Sequence, residues 1–240
     1  MSPDLFFWYG LVLKVAMTAT IVVIVSVAAE RSGPFIAAAA IGSLAANAAV
    51  AIFALTYTAL AQRQGIVLSI AVATLLWFGI AAALRLVEWT PATALVPNAV
   101  VFAFTIPLSA RYRDAAVPRN SVRRTRYDIP LRAAAAALVV AAVTTASHWI
   151  GSFASGVFAV FPIVMGSFAV IMHPRAGGKA AASVFAHAQP PLLGLCVGFL
   201  GVHYLAEAIG VWWSFAAGLA ITMTWSAALW LMQRALFLNR

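Results

Sequence analysis

Apolar residues occupy this chain in long, nearly uninterrupted stretches. Eight of them approach or exceed the roughly 20 residues that a helix needs to cross the hydrocarbon core of a bilayer. They are Val12–Ala29, Pro34–Leu60, Ile66–Leu86, Ala92–Ala110, Leu131–His148, Ser152–Met172, Leu192–Ile209 and Val211–Met232. Turn-type residues punctuate the gaps at Ser32-Gly33-Pro34, Thr90-Pro91, Gly151-Ser152, Gln189-Pro190-Pro191 and Gly210. The pattern predicts an all-α integral membrane protein of about eight transmembrane helices, with a tight hairpin at Gly210 between the last two. The segment from Leu5 to Ala29 is too long for a signal-peptide core, so it is expected to be a retained helix.

Composition excludes the soluble alternatives. Of 240 residues, 64% are hydrophobic and 9% charged, against roughly half and a quarter in soluble domains. The net charge of +9 does not point to nucleic acid, because the basic residues fall in short segments between apolar runs and form no separate basic domain. The single cysteine, Cys196, excludes an internal disulfide or a CxxC site.

The same basic residues set the orientation. With the N-terminus inside, the inner segments hold Lys14, Arg63, Arg111, Arg113, Arg119, Arg123, Arg124, Arg126, Arg132, Arg175, Lys179, Arg234 and Arg240, thirteen of the fifteen Lys and Arg; only Arg31 and Arg85 fall outside. This is the positive-inside bias, and it places both termini on the cytoplasmic side of a bacterial inner (plasma) membrane. The Arg-rich loop is first of all a topology anchor. Arg119, Arg123, Arg124 and Arg126 within it also suit anionic lipid headgroups or an acidic face of another membrane subunit.

Sliding the chain by 119 residues overlays its halves without a gap and puts Glu88 on Glu207 and Ala51-Ile52 on Val170-Ile171. Each half then has four spans and enters the membrane in the same sense, a parallel repeat. The expected division is 1–110 for the first four-helix repeat, 111–130 for the cytoplasmic linker and 131–240 for the second repeat. Small residues crowd the second span, from Ala37 through Ala49, and recur around the sixth at Gly151, Ser155, Gly156, Gly166 and Ser167, so these two spans are expected at the centre.

Several short motifs carry a resemblance. The second half has Phe161-Pro162 in a small-residue span, His173 before a basic loop, Tyr204-Leu205-Ala206, Gly210-Val211 and a Trp-containing last span. The first has Leu13-Lys14-Val15-Ala16 and Gly33-Pro34. Together they resemble two fused copies of the GlpM-like family of small four-span bacterial inner-membrane proteins. The first half departs from the pattern, with Ser43 and Ala54 at the positions of Pro162 and His173. The resemblance implies an accessory or transport-like role in envelope metabolism and assigns no catalytic residue.

Ionisable residues within spans are functional suspects, because lipid penalises them. Glu30, Arg85, Glu88, His148, His203 and Glu207 all fall toward the outer leaflet, with His203 and Glu207 one helical turn apart. One reading gathers them into a polar vestibule with Glu88 and Glu207 as pseudo-equivalents. The other pairs Glu30 or Glu88 with Arg31 or Arg85 at the water boundary. Asn47 and Asn98 lie deep in their spans, either as interhelical glue or, with Ser43 and Thr105, as the lining of a substrate path. His173 and His187 are expected to be solvated loop residues. Neither HExxH nor HxxxH, GxSxG nor a Walker sequence occurs, so no metal, cofactor, catalytic residue or ATP site is assigned. The expected function is a small transporter or a lipid- and envelope-precursor-handling protein, not powered by ATP and with a polar cleft between the repeats. A non-catalytic subunit of a larger envelope or biosynthetic complex is the alternative, and self-association is left open.

Orientation is directly testable. Single cysteines introduced between residues 111 and 132 should react with a membrane-impermeant maleimide only after the cells are opened; labelling of intact cells would reverse the topology.

Overall fold

The computed structural model describes residues 33–113 and 151–238, together with the isolated positions 137, 145 and 149, and side chains as far as 235. Among these residues the structure is entirely helical. The elements are α1 (Gly33–Leu60), α2 (Ile66–Leu84), α3 (Pro91–Ala110), the described part of α4 (151–159), α5 (Ile163–Ala176), α6 (Gly178–Ala208) and α7 (Val211–Leu238). Six stretches are long and apolar enough to cross a membrane, α4 and α5 counting together as Gly151–Ala176. They correspond to six of the eight expected spans. The other two, Val12–Ala29 and Leu131–His148, lie outside the described residues.

α1 is apolar around its whole circumference and buried over 18 of its 28 residues, as such a helix must be when other helices surround it. It packs most extensively on α6 and also on α2 and α3; α6 in turn carries α7, α3 and α5. The most extensive described contact is therefore α1 with α6. The polar side chains of α1 reach carbonyls of α6: Asn47 bonds Leu192 O and Thr58 bonds Ala182 O. The broken Gly151–Ala176 span touches α1 chiefly where Gly42 and Gly156 allow its backbone close. At that crossing Ser43 Oγ donates to Gly156 O at 2.8 Å.

Two expected punctuation marks are misplaced. Gln189-Pro190-Pro191 is no break; α6 runs through it and starts at Gly178, well before the expected Leu192. A proline here removes an N–H that would bond the carbonyl four residues earlier. Pro190 thus frees Ala186 O, and Arg113 Nε donates to it at 3.4 Å. Neighbouring helices often repair prolines within membrane spans in this manner. The turn before α6 is instead Gly177 alone, at φ 87° and ψ 158°, a backbone region open essentially to glycine. Conversely, the expected span Ser152–Met172 is interrupted. Phe161 and Pro162 are non-helical and α5 begins at Ile163, because a proline pushes the preceding residue out of the helical region.

Pairings across the helices show their sense. Gly33 lies against Ala206 and Ala51 O accepts from Gln189, so α1 and α6 are antiparallel. Thr105 with Gln189 and Ser183 with the Arg113 carbonyl make α3 antiparallel to α6 as well. α7 returns along α6, with Trp225 Nε1 donating to Pro190 O. One end of the bundle therefore gathers Gly33, the α2–α3 loop and the α6–α7 turn at Gly210. The opposite end gathers the α1–α2 loop, the end of α3 and Gly177. Of the seven described Lys and Arg residues, Arg63, Arg111, Arg113, Arg175, Lys179 and Arg234 fall at the second end and Arg85 alone at the first. Both described acidic residues, Glu88 and Glu207, also fall at the first end.

A β-carbon on Gly156 would overlap the Ala39 carbonyl, whereas one on Gly166 meets nothing within 4 Å. Gly156→Ala should therefore destabilise the protein by about 1–3 kcal/mol through overpacking. Gly166→Ala should be neutral or stabilise by up to about 1 kcal/mol through helix propensity. Thermal unfolding of the two variants in detergent checks the contrast.

Candidate functional site

At the acidic end, the start of α1, the α2–α3 loop, α4 and the end of α6 enclose an open pocket of about 650 Å³. Its floor is Ala37, Ala38 and Ile41 of α1, with Phe153 of α4 beside them. Glu88, Trp89, His203 and Glu207 stand on its walls. Local structure positions each wall. Trp89 Nε1 donates to Leu84 O at 2.7 Å, which folds the loop back onto the end of α2. Thr90 caps α3 reciprocally with Thr93, and Pro91 sits in the first helical turn. His203 Nδ1 lies 2.9 Å from Ala37 O. A carbonyl only accepts, so Nδ1 carries the proton, and in the neutral ring Nε2 is left as an acceptor. Glu207 follows one turn later on α6, exposed at the rim as Glu88 is.

Below the pocket the spans are sealed by a buried polar seam. Asn98 Nδ2 donates to Leu44 O at 2.7 Å and Ala94 O at 2.9 Å. Its Oδ1 accepts from Asn47 Nδ2 and from Cys196 Sγ, each at 3.3 Å. Asn47 Nδ2 also reaches Leu192 O at 3.0 Å, while Asn47 Oδ1 is buried with no partner. Two turns along α6, Gln189 is fully buried, donating to Ala51 O at 2.9 Å and accepting from Thr105 Oγ1 at 3.2 Å. Lower still, the Tyr57 hydroxyl lies 2.9 Å from His173 Nδ1. α1, α3 and α6 are thus tied together along the seam, and α1 is joined to α5 nearer the basic end.

A second pocket, of about 330 Å³, opens beside the break before α5. Phe53, Ile70, Phe161, Pro162, Gly166 and Val170 make it almost wholly apolar. Among the described residues no three His, Cys, Asp or Glu side chains converge closely enough to hold a metal ion.

No family model matches the chain, and no curated protein or solved structure matches it either.

The structure brings Glu88, His203 and Glu207 around one pocket and places the other described site residues, Arg85, Asn47 and Asn98, elsewhere. Arg85 is exposed at the C-cap of α2 and does not line the pocket. Asn47 and Asn98 line neither pocket; both are buried in the seam. Glu30, His148, Arg119, Arg123, Arg124 and Arg126 lie outside the described residues. His173 is not a solvated loop residue: it is on α5 and paired with buried Tyr57. His187 is on α6, with Nδ1 bonded at 2.8 Å to Ser183 O. Gln189, Cys196 and Trp89 are the structural contributors that sequence reasoning missed. The two prolines beside Gln189 mask it as a turn residue, although a polar residue seven positions before Cys196 shares a helix face with it.

The seam makes an ordered stability prediction. Asn98 has every polar atom satisfied, so Asn98→Ala should cost about 1–2 kcal/mol, the range of interhelical hydrogen bonds in lipid. Asn47→Ala should cost less, because it also removes an orphaned buried oxygen. Unfolding of both variants in mixed micelles measures the order; Asn47→Ala as the more damaging change would contradict it.

Proposed function

We propose that this chain is a small multi-pass protein of the bacterial inner membrane that takes a ligand into the acidic-end pocket and handles it by transport or by movement of a lipid-like molecule, without ATP. The observation that carries this reading is the juxtaposition of Glu88, His203 and Glu207 around an open pocket whose floor is the central helix α1. Concave sites with an apolar floor and a few polar groups are the usual form of a ligand site. The pocket also lies where the 119-residue offset brings Glu88 and Glu207 together, in keeping with two parallel repeats sharing one mouth on the outer side. The GlpM-like resemblance is compatible with this role and adds no residue to it.

The seam supplies the other half of the mechanism. It closes the route between the pocket and the basic end, so passage requires α1, α3 and α6 to part. The bonds to be broken join Asn98 to Leu44, Asn47 to Asn98 and Leu192, Cys196 to Asn98, Gln189 to Ala51 and Thr105, Thr58 to Ala182, Arg113 to Ala186 and Ser183, and His203 to Ala37. At roughly 0.6 kcal/mol on average in lipid, they form a latch whose opening must be offset by new contacts in the parted state. The break at Phe161-Pro162 gives the second half a joint at which to bend. A second reading, a non-catalytic subunit of an envelope complex, is favoured by α7, which among the described elements packs appreciably on α6 alone and exposes Trp213 and Trp230.

Proteoliposomes containing the full chain should move at least one of a panel of labelled amphiphiles and fluorescent phospholipids faster than protein-free vesicles do. The His203→Ala, Glu207→Gln double variant should slow that movement by about tenfold or more, the scale of losing one hydrogen bond to a charged group. No protein-dependent movement of any probe, with a stoichiometric partner on purification, would replace transport by the subunit reading.

A further inference from the structure

We infer that the acidic-end pocket selects an organic cation, an ammonium group carried on an apolar body. This rests on the proposal that the pocket is a ligand site and names the chemistry it accepts. The described ionisable residues on its walls are Glu88, His203 and Glu207, with no Lys or Arg among them. The side-chain hydrogen-bond donors on the same walls are already spent within the protein. Trp89 Nε1 is held by Leu84 O, His203 Nδ1 by Ala37 O, and the Thr90 hydroxyl is engaged in its cap with Thr93. What the side chains leave for a ligand is a set of acceptors: two carboxylates and, in the neutral ring, the His203 Nε2 lone pair, which has no hydrogen-bond partner among the described residues. A donor-rich cation satisfies such a set; an anion meets only repulsion and unpaired acceptors.

Helix dipoles do not reverse this preference. The starts of α1 and α3 favour negative charge, and the ends of α2 and α6 favour positive charge. These four and the start of α7 gather at this end of the bundle, so their opposite partial charges offset in part and the full charges of Glu88 and Glu207 decide the sign. The shape of the site separates an organic cation from a bare metal ion. The acceptors do not converge as a chelating set but are spread around about 650 Å³. The intervening surface is apolar, with the Trp89 and Phe153 rings and the Ala37, Ala38 and Ile41 floor. An aromatic face beside carboxylates is suited to an alkylated ammonium, through cation–π attraction and burial of its carbon atoms.

The test is equilibrium binding to the purified full chain in dodecyl maltoside, using benzylammonium, benzenesulfonate and benzyl alcohol as probes of similar size and different charge. Benzylammonium should bind at least about tenfold more tightly than the other two, and the Glu88→Gln, Glu207→Gln double variant should lose about tenfold or more of that affinity. Equal or tighter binding of the sulfonate or the alcohol, or an unchanged double variant, overturns the cation preference while leaving the pocket a ligand site. Absence of binding by all three probes also overturns it, and the Ala38→Trp variant then judges the pocket itself. If filling the floor stops proteoliposome transport, the site stands and only its charge preference has failed. If transport continues, the site has failed as well.

Discussion

Polar groups buried in a bilayer have no water to turn to, and that constraint organises this molecule. Each amide and hydroxyl in the interior needs a partner from the chain, because an unsatisfied one costs several kcal/mol in hydrocarbon. The α1–α6 contact answers that need. Alanines and glycines on α1 bring the helices close, and Asn47, Thr58 and Gln189 then reach carbonyls on the opposing backbone. Packing and hydrogen bonding depend on each other here, since side chains this short span an interface only when the backbones are near. The rest of the bundle is arranged around this pair: α2 and α3 against α1, and α5 and α7 against α6.

The same constraint separates the two kinds of polar residue in the chain. Uncharged side chains sit in the interior with short tethers to carbonyls. Charged ones sit at the ends, acids with Arg85 at one and the remaining described basic residues at the other. The pocket lies at the acidic end beside Trp89 and His203, whose ring nitrogens are tied to backbone.

Much of this was legible from residue order. Five of the six described spans appear near their expected limits, α6 being the exception, and Thr90-Pro91 and Gly210 fall at turns as their chemistry demands. Glu88, His203 and Glu207 share a pocket although 115 positions separate His203 from Glu88, because both sit at the same end of their spans. The misplaced breaks have one source. Proline reads as a stop, yet its effect depends on what can take up the freed carbonyl. Pro190 and Pro191 lie inside α6, where Arg113 meets Ala186 O, and the helix continues. Pro162 interrupts its span. Nothing local distinguishes the two cases. The position of His173 was equally hidden, because Tyr57, its partner, lies 116 residues away.

The uneven distribution of charge along the bundle axis makes the folded molecule a voltage-sensitive object. Where the membrane face holding Arg63, Arg111, Arg113, Arg175, Lys179 and Arg234 is electrically negative, the field holds the bundle in place. Counting the described residues, inverting it would carry six cations one way and the net negative charge of Arg85, Glu88 and Glu207 the other, roughly 16 kcal/mol for each 100 mV. That exceeds the folding free energy of many domains, so orientation, once set at insertion, is as durable as the fold itself.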